Sequence, residues 1–348
     1  MKCLSSVEIA AVTKELQKFI NARVDQIYQP DATEIVIALH RSDLGKHYLR
    51  IVPGTTIYIA SKRRASPLEQ INFCKFLRKR LAPCRLKEII QKNRERILEL
   101  HFEGKESYFI LIAEFFSKGN LILCDKEYNI ISALQVQLWK DRKIKAKVKY
   151  EYPPERKIIF KDFKEFQSYI EAHKKESIVK TIALSLNMGG VYAEELCFRA
   201  KMKKDRKDPS EKELQEIYTE LQILLSEELQ PNTINGEPYP IKMHALGEGT
   251  ACTSYNEALD KYYMQFIGAE QEEEKEIKKN PWEERIKEQE KQKEQVEKAI
   301  EENRIKAEWI YNHYMEAQEL IDLFKQKKMD ELKKKGAETE GKNILIEI

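Results

Sequence analysis

The sequence has little of what builds stapled, metal-bound or nucleotide-hydrolysing domains. Its six cysteines (Cys3, Cys74, Cys84, Cys124, Cys197, Cys252) stand far apart with no CxxC pair, against both a zinc site and a disulfide framework. They read as small core hydrophobes. Glycine and proline number only 12 and 11 in 348 residues, and no glycine-rich phosphate loop occurs. Without a Walker A motif or a dinucleotide fingerprint, no cofactor is expected. No run approaches the ~20 uninterrupted apolar residues of a membrane span. The opening Met1-Lys2-Cys3-Leu4-Ser5-Ser6 lacks the apolar core and cleavage site of a secretory signal, so a cytoplasmic protein with no membrane partner is expected.

Charge is abundant, at 34% of residues, and its net value of +3 hides an uneven distribution. Residues 62–87 hold nine Lys/Arg and one acid, 140–149 six and one, and 201–207 five and one. These segments carry +17 between them, the asymmetry of a surface meant for a polyanion, with nucleic acid the leading partner class. Solubilising surface charge is the plainer alternative.

Residues 5–20 read as a helix, with Ser5-x-x-Glu8 as a capping box. Strand-like runs follow at 23–28, 34–39, 47–52 and 55–60, separated by turn residues. A second helix is expected to open at Ser66-Pro67-Leu68-Glu69 and run to Leu81, burying Leu68, Ile71, Cys74, Leu77 and Leu81 while Lys75, Arg78 and Lys79 project from another face. Strands return at 95–102, 108–116, 121–124 and 130–137. The fold class is α+β, with a mainly antiparallel N-terminal domain over 1–150.

A helical domain spans 160–228. Asn187-Met188-Gly189-Gly190 joins two short helices in a helix-hairpin-helix candidate whose amides suit a phosphate, although any helical hairpin can use Gly-Gly as a cap. A connector covers 229–254. From 255 to 335 a long charged helix reads as the first strand of a coiled coil, with Val296, Ile300, Ile310, Tyr314, Ile321 and Phe324 among its core positions. That stripe needs a partner. Residues 336–348 form an apolar tail that looks cut off, as in a fragment or one half of a split protein.

Several signatures occur in order: Leu4-Ser5-Ser6-Val7-Glu8, Arg23 to Gln29, Phe76 to Leu81, Glu95-Arg96-Ile97-Leu98, Glu114-Phe115-Phe116-Ser117-Lys118-Gly119-Asn120, and Asn187-Met188-Gly189-Gly190-Val191-Tyr192-Ala193-Glu194-Glu195. The sequence resembles the NFACT family of ribosome quality-control factors, called RqcH in prokaryotes and NEMF in animals and once named fibronectin-binding proteins. The resemblance implies a first domain similar in fold to the formamidopyrimidine-type DNA glycosylases. It implies binding to a large ribosomal subunit that carries a stalled peptidyl-tRNA, and recruitment of tRNA, mainly alanyl-tRNA, for untemplated C-terminal tailing. Peptide-bond chemistry then belongs to the ribosome, so the chain itself is not expected to be an enzyme. The family's NFACT-R domain and returning coiled-coil helix are absent from the sequence, which suggests a second coiled-coil chain that carries them.

The family's Asp-Arg motif corresponds here to Glu95-Arg96, and its N-terminal Asp to Glu8. These three residues are the candidate tRNA-recruiting motif. Arg96 shares a strand face with Leu98, Leu100 and Phe102, and so starts inward and requires a partner, with Glu8 or Glu95 the candidates. An internal ion pair for Arg96 and a capping role for Glu8 are the structural alternatives. Phosphate contacts are assigned to Lys62, Arg63, Arg64, Lys75, Arg78, Lys79 and Arg80, with backbone amides from Gly189 and Gly190. Tyr108, Phe109, Phe115 and Phe116 read as core. Two rivals remain: a glycosylase-like nucleic-acid-binding protein without tailing activity, and adhesion to fibronectin. Met1-Lys2 replaces the glycosylases' N-terminal proline nucleophile and the glutamate after it, and nothing in the sequence suits secretion.

Overall fold

The computed structural model describes residues 1–348 apart from 67–70, 140, 141, 155, 278–280, 327, 341, 342, 347 and 348. It divides into two units, Met1–Glu270 and Gln271–Ile348.

In the first unit, α1 (Ser6–Leu16) opens on the expected capping box. The Ser5 amide donates to Glu8 Oε2 at 2.7 Å and the Glu8 amide to Ser5 Oγ at 3.3 Å. Four strands follow in a meander: β1 (Arg23–Asp31), β2 (Glu34–Arg41), β3 (Gly45–Val52) and β4 (Thr56–Ala60). Helix α2 is described from Asn72 to Leu81, so it starts well after Ser66, and Ile71 precedes it without a side-chain cap. Pro67, Leu68 and Glu69, expected in its first turn, lie outside the described residues. Phe73, Cys74, Leu77 and Leu81 are its buried face.

A second meander comprises β5 (Arg85–Gln91), β6 (Ile97–Glu103), β7 (Tyr108–Glu114), β8 (Asn120–Cys124) and β9 (Ile130–Ala133). All nine strands form one antiparallel sheet in the order β4-β3-β2-β1-β5-β6-β7-β8-β9. The halves meet where Arg23 faces Arg85, with backbone hydrogen bonds joining Asn21 and Ala22 to Leu86 and Val24 to Cys84 on either side. Period-two alternation sorts β6 cleanly: Leu98, Leu100 and Phe102 enter the main core with α1 and α2, while Ile97 packs on the opposite face with Ile112, Ile122 and Tyr150. That second face also holds Glu99 and Glu114, both buried. A short hairpin, β10 (Gln137–Leu138) and β11 (Lys143–Ile144), leads into the segment covering them. Glu114 accepts from Arg142 and from Tyr150 Oη at 2.8 Å; Glu99 accepts from His101 at 2.9 Å, Tyr128 at 3.0 Å and Tyr152.

Helices α3 (Phe163–Ala172), α4 (Ile178–Ser185), α5 (Gly190–Arg199) and α6 (Glu211–Ser226) enclose their own core of Phe166, Ile182, Leu196, Ile217 and Leu221. The connector contributes a small sheet of β12 (Asn232–Ile234), β13 (Glu237–Tyr239) and β14 (Thr250–Ala251). Helix α7 (Tyr255–Ile277) starts against the main core through Tyr255, Leu259 and Tyr263. The six thiols are free; four are buried, but Cys3 is exposed and Cys252 half-exposed, so these two are not core residues.

The second unit contains α8 (Pro281–Asn312), α9 (Tyr314–Lys325), α10 (Met329–Lys334) and a hairpin of β15 (Ala337–Glu340) and β16 (Asn343–Ile346). The expected stripe on α8 is exposed, Val296 at 57% and Ile300 at 62%. It does not continue unbroken. His313, at φ −118 and ψ 35, interrupts the helix, and past the break Leu320 is buried while Ile321 is exposed. Leu320, Leu332 and Ala337 form a small core with Phe324 and Ile344, so the apolar tail has a folded role.

Candidate nucleic-acid interface

A 3-10 turn at Lys92–Arg94 reverses the chain from β5 into β6 through two successive left-handed residues, Asn93 (φ 47) and Arg94 (φ 52). It delivers Glu95 and Arg96 to the foot of β6, where the Phe115 amide donates to the Arg96 carbonyl at 2.8 Å. Glu95 does not orient Arg96. Its carboxylate accepts from the Asn187 side-chain amide and from the Arg156 backbone amide, the latter at 2.8 Å. Asn187 is the left-handed residue (φ 54) in the turn between α4 and α5. Its Oδ1 accepts from the Arg156 guanidinium at 3.2 Å, and its carbonyl accepts from Ser6 Oγ at 2.9 Å. The helical hairpin is thereby fastened to the sheet.

Arg96 makes no side-chain hydrogen bond or ion pair among the described residues, and its Nε is buried. Burial pulls its pKa down from 12.5, with the Cys3 thiol beside it acting in the opposite direction. A guanidinium stays charged regardless, so the expected internal partner is missing. Arg96 faces a cleft of about 570 Å³ walled by Phe116, Pro153, Pro154 and Leu184, with Lys175 also on its rim. Of the four aromatics assigned to the core, Phe115 is fully buried and Tyr108, Phe109 and Phe116 are partly buried against the two faces of the sheet, with Phe116 also lining the cleft.

Glu8 lies elsewhere. Besides capping α1 it pairs with Lys2 Nζ at 2.8 Å, and it is 1% exposed. Burial, reinforced by the Glu8 charge, keeps the Tyr192 and Tyr255 hydroxyls protonated. In place of the expected contact with Arg96, Glu8 forms an ion pair that ties α1 to the chain start. Lys2 is correspondingly occupied: Nζ also donates to the Pro238 carbonyl at 2.7 Å and stands 3.7 Å from the Tyr239 ring centre.

The other cations collect around Tyr28. The Arg63 guanidinium lies 4.1 Å from the centre of its ring, with Arg78 at 5.8 Å, while Arg80 covers Phe76 at 3.5 Å. Lys62, Lys75 and Lys79 are exposed. Arg78 is half-buried and donates to the Ile27 carbonyl at 2.5 Å. Arg64 leaves the phosphate set, because Asp31 at 2.7 Å and Glu34 at 3.1 Å already neutralise it. Gly189 (φ 80) and Gly190 are exposed at the start of α5, which no side chain caps. No hydrogen bond, ion pair or ring contact among the described residues joins this cluster to Glu8, Glu95, Arg96 or the two glycines. Sequence reasoning missed Asn187 and Arg156 as partners of Glu95, although Asn187 stood in the hairpin motif.

Residues 5–348 match the family of NFACT N-terminal and middle domains. The chain belongs to this family. It is 29% identical to an archaeal Rqc2 homolog, aRqcH of Methanocaldococcus jannaschii, over 94% of this chain and 53% of that protein. The mouse ribosome quality control complex subunit NEMF is 29% identical over 43% of this chain and 14% of its own length. The chain thus spans about half of the archaeal relative and a smaller share of the mouse one. Among solved structures, the N-terminal part of a fibronectin/fibrinogen-binding protein from Streptococcus suis is similar in fold, with a TM-score of 0.63 and 21% identity over 75% of this chain and 99% of that one.

The NFACT signatures quoted from the sequence have structural work of their own. Within Glu114 to Asn120, Gly119 (φ 69) lies against Gly54, so that a Cβ on it would fall 1.9 Å from the Gly54 nitrogen. Asn120 is buried and joins the start of β8 to Gln135 and Gln137. In the hairpin signature, Glu195 accepts the His244 and Ala245 amides at 3.0 and 2.8 Å and pairs with Arg199 at 2.7 Å.

Proposed function

We propose that this chain acts in ribosome quality control. It binds the large ribosomal subunit obstructed by a peptidyl-tRNA and recruits tRNA, alanyl-tRNA by preference, for untemplated C-terminal tailing of the stalled chain. It supplies selection and positioning and leaves peptide-bond formation to the ribosome. The observation that supports this reading is the unneutralised guanidinium of Arg96 in a cleft between sheet and hairpin, since a half-buried cation without a counter-ion favours an anion from outside. Lys62, Arg63, Lys75, Arg78, Lys79 and Arg80 add backbone attraction independent of sequence.

The test is sedimentation with purified large subunits alongside tRNA binding. Arg96→Ala is expected to weaken tRNA binding by about tenfold, the loss for one good guanidinium contact, and to leave sedimentation with the subunit intact. Equal loss of both, or of neither, refutes the assignment.

A further inference from the structure

Three clefts follow one another along the seam between sheet and helices. The first, about 570 Å³, contains Arg96; the second, about 580 Å³, shares Arg156 with the first; the third, about 310 Å³, shares Arg94 with the second and reaches Lys14 on α1. Lys175, Arg96, Arg94 and Lys14 make no side-chain hydrogen bond or ion pair among the described residues. The described carboxylates that line these clefts are engaged, Glu95 by Asn187 and Arg156, and Glu227 by Arg199. Neighbouring cations without counter-ions repel one another, and an external polyanion removes that repulsion.

The walls select the kind of polyanion. Arg96 is half-buried with its Nε below the surface, so a flexible strand can follow it into the cleft more readily than a rigid duplex. Ile159, 59% exposed, and Phe116, Pro153 and Pro154 offer apolar faces to unstacked bases. An acidic peptide would answer the charge and leave those faces bare. Arg94 is also held in a left-handed turn that L side chains rarely adopt, strain of the kind that collects at binding sites.

We propose that single-stranded RNA lies along the seam from Arg96 to Lys14, with Arg94 as a phosphate anchor between the second and third clefts. This rests on the RNA-binding reading above and extends it to residues that reading does not use.

The experiment measures fluorescence anisotropy of a labelled 12-nucleotide oligouridine, a 12-base-pair RNA duplex and intact tRNA with the full chain, at several salt concentrations. Oligouridine is expected to bind more tightly than the duplex. Arg94→Gln and Lys14→Gln should each weaken it by about three- to tenfold and lower the logarithmic salt slope by about 0.7, the value for one lost phosphate contact on a single strand. Arg94→Lys should keep the slope, and Lys212→Gln on α6 should change nothing. Thermal midpoints should match the parent, since neither Arg94 nor Lys14 has a side-chain partner among the described residues. Seam variants that bind oligouridine like the parent overturn the proposal, as does equal binding of the duplex or equally effective displacement by polyglutamate. If tRNA still binds in those cases, the RNA reading survives; if no RNA binds, both fall.

Discussion

The side-chain amide of Asn187, in the turn of the helical hairpin, donates to the carboxylate of Glu95 at the foot of β6, across 92 residues of sequence. Glu95 is thereby engaged and its neighbour Arg96 is left without a counter-ion among the described residues. Replacing Asn187 tests both consequences. Asn187→Gly keeps the left-handed backbone and loses the hydrogen bonds, while Asn187→Ala also bears the cost of φ > 0, so in urea unfolding the alanine variant should be the less stable by about 1 kcal/mol. In both variants Glu95 Oε2 is released while Oε1 keeps the Arg156 amide, so the carboxylate can turn one oxygen toward Arg96, and tRNA affinity should fall although no RNA-facing cation has been changed.

Gly119 and Gly45 share a positive φ, +69 and +77, but differ in surroundings. A Cβ on Gly119 would overlap the backbone at Pro53 and Gly54, whereas one on Gly45 meets nothing within 4 Å. Gly45→Ala should cost about 1 kcal/mol, the conformational term alone. Gly119→Ala must also separate the turn before β4 from the turn before β8, and should lose at least about 3 kcal/mol or fail to accumulate as folded protein. Denaturant midpoints, or soluble yield when folding fails, read the difference.

Most of the sheet was legible because its strands alternate and its turns carry proline, glycine and aspartate. Strand β5 was missed for a physical reason: charged residues punctuate Arg85–Gln91, and a bulge between Leu86 and Glu88 breaks the period of two. The break at His313 has no proline or glycine to announce it, so the heptad pattern ran through it. At the site, the inward start of Arg96 followed from strand parity. Its lack of a partner did not, because Asn187 takes up Glu95 from another domain. Arg64 was likewise misplaced, since a charge count over 62–87 cannot register Asp31 and Glu34, some thirty residues earlier.

Glu99 sets an acid limit on stability. Burial pushes its carboxyl up, but hydrogen bonds from His101, Tyr152 and Tyr128 outweigh this and hold it below its ordinary 4.5. A depressed folded-state pKa gives stability that is fully present above about pH 4.5 and is lost as pH falls through the folded value. Glu99→Gln should therefore be less stable at pH 7 yet show a shallower decline between neutral pH and pH 3. Urea unfolding across that range checks the sign, and an unchanged acid limb would show that other carboxylates control it.

Arg96→Met separates the binding role of Arg96 from a packing role. Methionine reproduces the Arg96 stem as far as Nε, so it can cover the same apolar neighbours while removing a half-buried charge that has no side-chain partner among the described residues. Loss of an unpaired cation should leave stability unchanged or raise it by up to about 1 kcal/mol, and tRNA affinity should drop by about tenfold. Were the stem of Arg96 chiefly a lid over the end of the main core, methionine would preserve both stability and tRNA binding, and Arg96→Ala would lower stability alone. Thermal midpoints and tRNA titrations on the two variants distinguish these patterns, because only an arginine that engages an external anion loses affinity without losing stability.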